Sequence, residues 1–339
     1  MLPAIFSAGL IASGCGNPGL SAGSSLNSQS RAGILGTVLT ISSYGDTPQS
    51  VYDECFSAAQ DVENLMSLNR PDSELSRLNQ SGELSVSGQT YALVQKALEY
   101  SRLSEGAFDV TVGAVMQRWR IGADFIRLPP REEIQGALLL VGSEKIKMEQ
   151  NNRIALEKGM LIDLGGIAKG YACDIAAQAL RERGVQRAIL DYGGNIYALG
   201  EKADGEKWRV GIRNPVLGAD GYICVYEASD QAVVTSGGYE RNFEQGGVTY
   251  HHILDPKTGY PAQSSLLSAT IISKLSADAD ALSTACFVMG LERGAELLES
   301  LDGFEGIFVT DAKEIFFTSG LGGALELIDS SFSIFEVSQ

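Results

Sequence analysis

The chain contains two histidines, and they are adjacent, in Tyr250-His251-His252-Ile253-Leu254-Asp255-Pro256-Lys257-Thr258-Gly259-Tyr260-Pro261. Imidazole titrates near neutral pH, so this is where a general base would sit. In a strand, neighbouring side chains point to opposite faces, so one ring would face a pocket while the other braces the structure. A strand end with one exposed and one hydrogen-bonded histidine fits the same residues equally well.

A second group lies in Asp163-Leu164-Gly165-Gly166-Ile167-Ala168-Lys169-Gly170-Tyr171-Ala172-Cys173-Asp174. An apolar run ends in Asp163, passes two glycines and enters a helix. Glycines let a ligand approach the backbone, and a helix N-terminus offers N–H groups to phosphate. Lys169 in the first turn opposes the helix dipole unless an anion is there. The spacing is neither GxxxxGK[ST] nor GxGxxG, and a glycine-rich turn with a solvent-facing lysine remains the plain alternative.

A third group is Ser276-Ala277-Asp278-Ala279-Asp280-Ala281-Leu282-Ser283-Thr284. Ser276 is a suitable N-cap. Asp280 and Thr284 are four apart, so both oxygens share one helix face, and a carboxylate plus a hydroxyl suits Mg²⁺. Acidic residues favour first turns in any case. Two further segments complete the set. Val234-Thr235-Ser236-Gly237-Gly238 runs a buried strand into a tight turn, and Gly106-Ala107-Phe108-Asp109 sets an aromatic beside a carboxylate where a heterocycle would meet both.

The elements that must position these groups follow from periodicity. Residues 34–41 alternate like a strand, and residues 49–68 carry a helical stripe of Val51, Cys55, Ala59, Val62, Leu65 and Met66. Pro71-Asp72-Ser73 ends that helix, with Asp72 or Ser73 capping a short turn. Helices are expected at 89–104, from about 167 to 183, at 277–289 and at 291–300; residues 120–150 read as irregular with weak strands. Strands are expected at 187–191, 195–199, 207–213, 222–228, 231–235, 248–254, 266–273, 305–310 and 314–318. Without regular βαβ alternation the fold class is α+β, with mixed sheets and helices in one compact domain that has room for two lobes.

The 339 residues suffice for a sizeable core, and a net charge of −16 argues against nucleic acid or an anionic membrane surface as the main partner. An anionic substrate would need a local cation. Residues 2–14 are apolar or small and lead to Leu10-Ile11-Ala12-Ser13-Gly14-Cys15, which resembles a bacterial lipoprotein signal with Cys15 as the lipidated residue, although no Lys or Arg precedes the run. This gives a signal peptide at 1–14, a flexible tether at 15–31 and a domain at 32–339, anchored to the periplasmic face of the inner membrane in the bacterial cell envelope. The remaining cysteines show no CxxC spacing; Cys55, Cys173 and Cys286 read as buried free thiols.

Taken together and in order, these segments resemble the ApbE family of FAD:protein FMN transferases. The likeness runs from Gly36-Thr37 to the C-terminus, through Pro71-Asp72-Ser73-Glu74-Leu75-Ser76-Arg77-Leu78-Asn79, Gly106 to Thr111, Asp163 to Asp174, Asp191-Tyr192-Gly193-Gly194-Asn195, Thr235-Ser236-Gly237, the histidine segment and Asp280 to Thr284. It implies an ApbE-like, T-fold-related domain that binds FAD and Mg²⁺, cleaves the pyrophosphate, and transfers FMN to a Ser or Thr of target flavoproteins in membrane redox complexes, releasing AMP. It implies Mg²⁺ ligands at Asp280, Thr284 and the Gly166 carbonyl. FAD contacts would come from Leu35, Asn69, Ala107, Phe108, Asp109, Asp163, Lys169 and Ile253. The catalytic set would be His252, His251 and Asp280, with His252 favoured as base. Two departures stand out. Leu35 replaces a common Met, and Asn69 replaces a common aromatic over the flavin, which would loosen the flavin and open a route to FAD hydrolysis. A Mg²⁺-dependent FAD pyrophosphatase and a non-catalytic flavin-binding lipoprotein are the alternatives.

Overall fold

A computed structural model describes residues 25–121, 127–239 and 242–337. The proposed signal peptide and Cys15 lie outside the described residues. The chain opens with a hairpin of β1 (Leu26–Ile34) and β2 (Thr37–Tyr44), followed by α1 (Gln49–Met66), α2 (Glu74–Ser81), β3 (Glu83–Ser85) and α3 (Gly88–Leu103). Next come α4 (Gly113–Trp119), α5 (Arg131–Leu138), β4 (Lys147–Glu149), β5 (Arg153–Ala155), α6 (Ala168–Glu182), β6 (Ala188–Tyr192) and β7 (Asn195–Leu199). Then follow β8 (Trp208–Arg213), β9 (Tyr222–Ala228), β10 (Gln231–Gly237), β11 (Asn242–Gln245), β12 (Val248–His251) and β13 (Leu266–Ser273). The chain closes with α7 (Ser276–Met289), α8 (Leu291–Glu299), β14 (Glu305–Thr310), β15 (Glu314–Phe317), β16 (Leu325–Leu327) and β17 (Ser333–Glu336).

A nine-stranded sheet in the order β1-β2-β6-β7-β10-β13-β14-β15-β17 forms the middle layer. Its neighbours pair antiparallel except β15 and β17. The two-residue alternation of its strands divides the interior. Leu190, Ala232, Val234, Ala269, Ile271 and Phe308 enter a core shared with α1, α6 and α7, while Ile189, Val233, Ile272, Ile307 and Val309 enter a second core. That second core is closed by Trp208, Val210, Cys224 and Tyr226 of the small sheet β16-β9-β8. Both faces of the large sheet are therefore covered, and its strands read as nearly continuous buried runs, as in β6 and β7. A third, smaller cluster gathers Trp119, Ile134, Ala137 and Leu254, joining α4 and α5 to the segment after β12. The α+β class with mixed sheets holds, and this satellite cluster is as far as a second lobe goes.

Several local expectations need correction. Residues 34–41 are not one strand. Leu35 (φ 53°) and Gly36 (φ 68°) both take left-handed backbone, which makes a two-residue hairpin turn between β1 and β2. Residues 26–31, expected in the tether, lie in β1, which pairs with β2 from Leu26 opposite Tyr44. The stretch 120–150, expected to be irregular, contains α5; Ile134 and Ala137 bury one face of it, a stripe too short for periodicity to reveal. Ser276 does not cap α7 but lies inside it. The expected strand 248–254 stops at His251, so the two histidines do not alternate across one strand. Ser73 does cap α2, its hydroxyl accepting the N–H of Ser76 at 3.0 Å.

Candidate active site

The site is built where the N-terminal ends of α6 and α7 meet the C-terminal end of β10. The two helices approach so closely that a side chain on Gly170 would meet the Ser276 carbonyl oxygen at 2.3 Å. Asp174, one turn along α6, accepts the N–H groups of Ser276 and Ala277 at 2.6 and 2.9 Å, and so caps α7 from outside. That carboxyl is pushed up to about 7, chiefly by burial, with the two amide bonds working against the shift.

Asp280 projects from α7 into this junction and is 3% exposed. Its Oδ2 accepts the Gly170 N–H at 3.0 Å, and its Oδ1 lies 3.5 Å from Lys169 Nζ. Lys169 also donates to Asn195 Oδ1 at 2.9 Å. Asn195 begins β7, on the helix side of the sheet, after the Gly193-Gly194 turn. Thr284 stands one turn beyond Asp280 on α7. Its hydroxyl is 3.4 Å from Ser236 Oγ at the end of β10, and Ser236 in turn lies 2.8 Å from Ser283 Oγ. Ser283 donates to the Asp280 carbonyl at 2.9 Å.

The glycine-rich turn after Leu161 closes the other side. A Cβ on Gly166 would meet Phe108 at 3.1 Å and the Thr284 hydroxyl at 3.7 Å, so this turn, the aromatic ring and α7 share one space. Backbone pairing fixes the arrangement: Asp163 donates its N–H to the Val110 carbonyl at 2.7 Å. Asn79 of α2 clamps Ile162 through both its carbonyl and its N–H at 2.8 and 2.9 Å. Asp163 accepts the Gly165 N–H at 2.7 Å, and burial raises its carboxyl above the usual carboxylate range. Asp109 is also raised by burial, but both of its oxygens are engaged within the protein. Oδ1 takes the Thr111 N–H and hydroxyl at 2.8 and 2.6 Å, and Oδ2 takes the Ser143 N–H at 3.1 Å. Its position is that of a loop brace beside Ala107 and Phe108.

The histidine segment reaches the same helix. The His251 ring meets Phe287 of α7 edge-on at 5.4 Å, and a Cβ on Gly238 would touch that ring at 3.0 Å. His251 Nε2 lies 3.1 Å from the Ala262 carbonyl, which makes it the protonated nitrogen; Nδ1 is buried without a partner among the described residues. Burial holds this imidazole below its ordinary pKa. His252 follows the end of β12 and is half-buried. Ile253 is buried, and its carbonyl accepts the Ala262 N–H at 3.0 Å. The turn beyond is anchored by Trp119, whose indole N–H donates to the Gly259 carbonyl at 2.8 Å.

The expected residues Phe108, Gly166, Lys169, Asp280 and Thr284 are thus brought together, with Ala107, Asp163 and Ile253 on the segments that frame them. Leu35 and Asn69 lie on other segments of the chain. Leu35 sits on the β1–β2 turn and donates its N–H to Glu63 of α1 at 3.3 Å, while Asn69 is exposed on the α1–α2 loop. Three partners went unassigned by sequence reasoning: Ser236 beside Thr284, Asn195 on Lys169, and Asp174 as the cap. Ser236 and Asn195 lie in segments whose turn chemistry was visible, but their contacts cross the fold.

Among the described residues no three His, Cys, Asp or Glu side chains gather as a metal cluster. A cation here would instead take one buried carboxylate with hydroxyl and carbonyl oxygens. Asp280, Thr284 and the Gly166 turn supply that hard-donor set, which fits Mg²⁺ and suits neither zinc nor copper.

The comparisons agree with this geometry. The ApbE family model matches residues 35–308. The FAD:protein FMN transferase of Treponema pallidum is 35% identical over 321 residues, covering 88% of this chain and 89% of that protein. That of Klebsiella pneumoniae is 32% identical, covering 89% and 95%. Among solved structures, the ApbE protein of Thermotoga maritima superposes with a TM-score of 0.79 at 32% identity, covering 91% of this chain and 98% of that one. The flavin transferase ApbE of Vibrio cholerae gives 0.76 at 32%, covering 84% and 94%. Sequence, fold and the order of the site segments agree: this chain belongs to the ApbE family.

Proposed function

We propose that this chain is an FAD:protein FMN transferase that cleaves the FAD pyrophosphate and attaches FMN through a phosphoester to a Ser or Thr of an acceptor protein, with AMP released. The observation that carries this reading is the meeting on α7 of Asp280 and Thr284, set against Gly166 and Lys169, with Phe287, which holds the histidine segment one turn further on.

Asp280, Thr284 and the Gly166 carbonyl would hold Mg²⁺, which supplies charge neutralisation on pyrophosphate oxygens. Lys169 offsets charge on the same phosphates. His252 serves as the base. His251 is less suited, because its Nε2–H is committed to Ala262 and its Nδ1 is buried. His252 takes the acceptor hydroxyl proton as that oxygen attacks the FMN-side phosphorus, and the bond to the AMP oxygen breaks. General-base assistance of this kind contributes roughly 10²–10⁴-fold.

The test is incubation of the full chain with FAD and Mg²⁺, with and without an acceptor protein. A flavin mass increment on the acceptor, equal in amount to the AMP formed, is expected. AMP and free FMN with no increment would replace the reading by FAD hydrolysis, and intact FAD throughout would leave a binding protein.

Asn69 favours some hydrolysis beside transfer. It is exposed on its loop and has no ring to lay on a flavin, so the flavin is held less firmly and released more readily. Asn69→Tyr is expected to lower AMP release in the absence of acceptor; an unchanged rate would sink this point. The envelope location as a lipoprotein rests on the residues leading to Cys15. Metabolic labelling with a palmitate analogue, lost in Cys15→Ala, would support it. The acceptors are expected among flavoproteins of membrane redox complexes facing the same compartment.

A further inference from the structure

We propose that Lys169 is a resident counter-cation that exchanges between Asp280 and the anionic ligand, and that Asn195 is the positioning residue about which it turns. This rests on the reading that Asp280 takes a divalent cation beside an FAD pyrophosphate.

The two contacts of the ammonium are unequal. Lys169 Nζ is 2.9 Å from Asn195 Oδ1, an ordinary hydrogen bond, but 3.5 Å from Asp280 Oδ1, beyond the usual range for a charged one. The ammonium is therefore anchored on a neutral amide and leans towards the carboxylate. Asp280 itself is anchored elsewhere, through Oδ2 on the Gly170 N–H at 3.0 Å. One of its oxygens has a fixed partner and the other a movable one. An ammonium has three donors, and with one on Asn195 and one towards Asp280 the third is available to an anion.

Asn195 is built for this task. It is 1% exposed, and its Nδ2 has no partner among the described residues. A buried amide with an unsatisfied donor costs stability, so its carbonyl oxygen is what the position uses. Two left-handed glycines, Gly193 and Gly194, set its place, and Thr37 packs so tightly on Gly193 that a Cβ there would lie 2.4 Å from the threonine hydroxyl.

A second positive charge cannot settle on Asp280 Oδ1 while the ammonium is there without repulsion. When a pyrophosphate enters, Lys169 keeps its bond to Asn195, swings to the phosphate and uncovers Oδ1. Anion and divalent cation then bind with positive coupling beyond their direct contact, and linkage requires that coupling to be reciprocal.

The test measures each ligand alone on the full chain: Mn²⁺ without nucleotide by electron paramagnetic resonance, and FAD in EDTA by flavin fluorescence. Lys169→Met is expected to bind Mn²⁺ about tenfold more tightly and FAD about tenfold more weakly than the parent. Lys169→Gln, which keeps a donor for Asn195 without the charge, should change both affinities in the same directions. Asn195→Ala should weaken FAD without weakening Mn²⁺. A misfolded or merely loosened protein would lose both ligands together, so opposite signs in one variant are diagnostic. Mn²⁺ affinity unchanged or weakened in both Lys169 variants would overturn the exchange. Mn²⁺ binding that survives Asp280→Ala would instead overturn the cation site on which it rests.

Discussion

Asp280 Oδ2 accepts the backbone N–H of Gly170, so the buried carboxylate of one helix is fixed by the third residue of another. The contact exists because Gly170 has no side chain to keep the two backbones apart. Gly170→Ala would place a methyl group 2.3 Å from the Ser276 carbonyl oxygen. The expected outcome is a loss of roughly 1–3 kcal/mol in urea unfolding together with a fall in activity, since the same shift moves Asp280. A variant as stable as the parent would mean the helices can part without cost.

Asp280→Asn keeps an acceptor for Gly170 but removes the charge. It is expected to lower FAD cleavage by about 10²-fold or more while moving the melting temperature by only a few degrees. EDTA should abolish turnover in the parent, and Mg²⁺ should restore it. Calorimetric titration with Mg²⁺ gives a second readout, in which the heat of binding should vanish in the variant.

The two histidines should separate in mutagenesis. His251→Ala removes a ring packed on Phe287 and Gly238 and bonded to Ala262, so it should cost stability, by about 1–3 kcal/mol. His252→Ala should lower transfer by roughly 10²–10⁴-fold. Thermal melts and FMN-transfer rates measured on both variants decide; equal rate losses with equal stability would remove the distinction.

Asp174 should make stability depend on pH. Its folded value is about 7 against an ordinary 3.8, because burial disfavours the charge. Lys96, paired with the neighbouring Asp278, lowers it, while Asp278 raises it. The folded chain thus holds this proton more tightly than the unfolded one. The resulting stability is complete below pH 4 and is lost as pH rises to about 7, a change on the order of a few kcal/mol. Asp174→Asn cannot ionise, and one amide N–H of α7 would face its NH₂. It should therefore be less stable than the parent at pH 4–5, and the gap should narrow by pH 8. Unfolding midpoints of both proteins across that range are the measurement, and a constant gap would contradict the assignment.

Much of this was legible in the sequence because the relevant signals are local. The stripe of Val51, Cys55, Ala59, Val62 and Met66 marks α1, and the spacing of Asp280 and Thr284 sets both on one face of α7. Contacts between distant segments were not legible. Ser276 has the chemistry of an N-cap, yet Asp174, 102 residues earlier, does the capping. The alternation through 34–41 hid a hairpin, because Leu35 accepts a left-handed backbone that β-pattern reasoning assigns to glycine or asparagine. The histidine segment was read as one strand because composition does not reveal that β12 ends at His251, where the chain turns to pair Leu254 with Pro261.

The four described cysteines, Cys55, Cys173, Cys224 and Cys286, are all buried and unpaired. Burial pushes the Cys55 and Cys224 thiols up to about 12 and raises Cys173 and Cys286 as well. Thiolate is the reactive form, so none of the four offers a foothold to oxidants or to disulfide exchange. Among the described residues the fold is therefore held by packing and hydrogen bonds rather than by a disulfide.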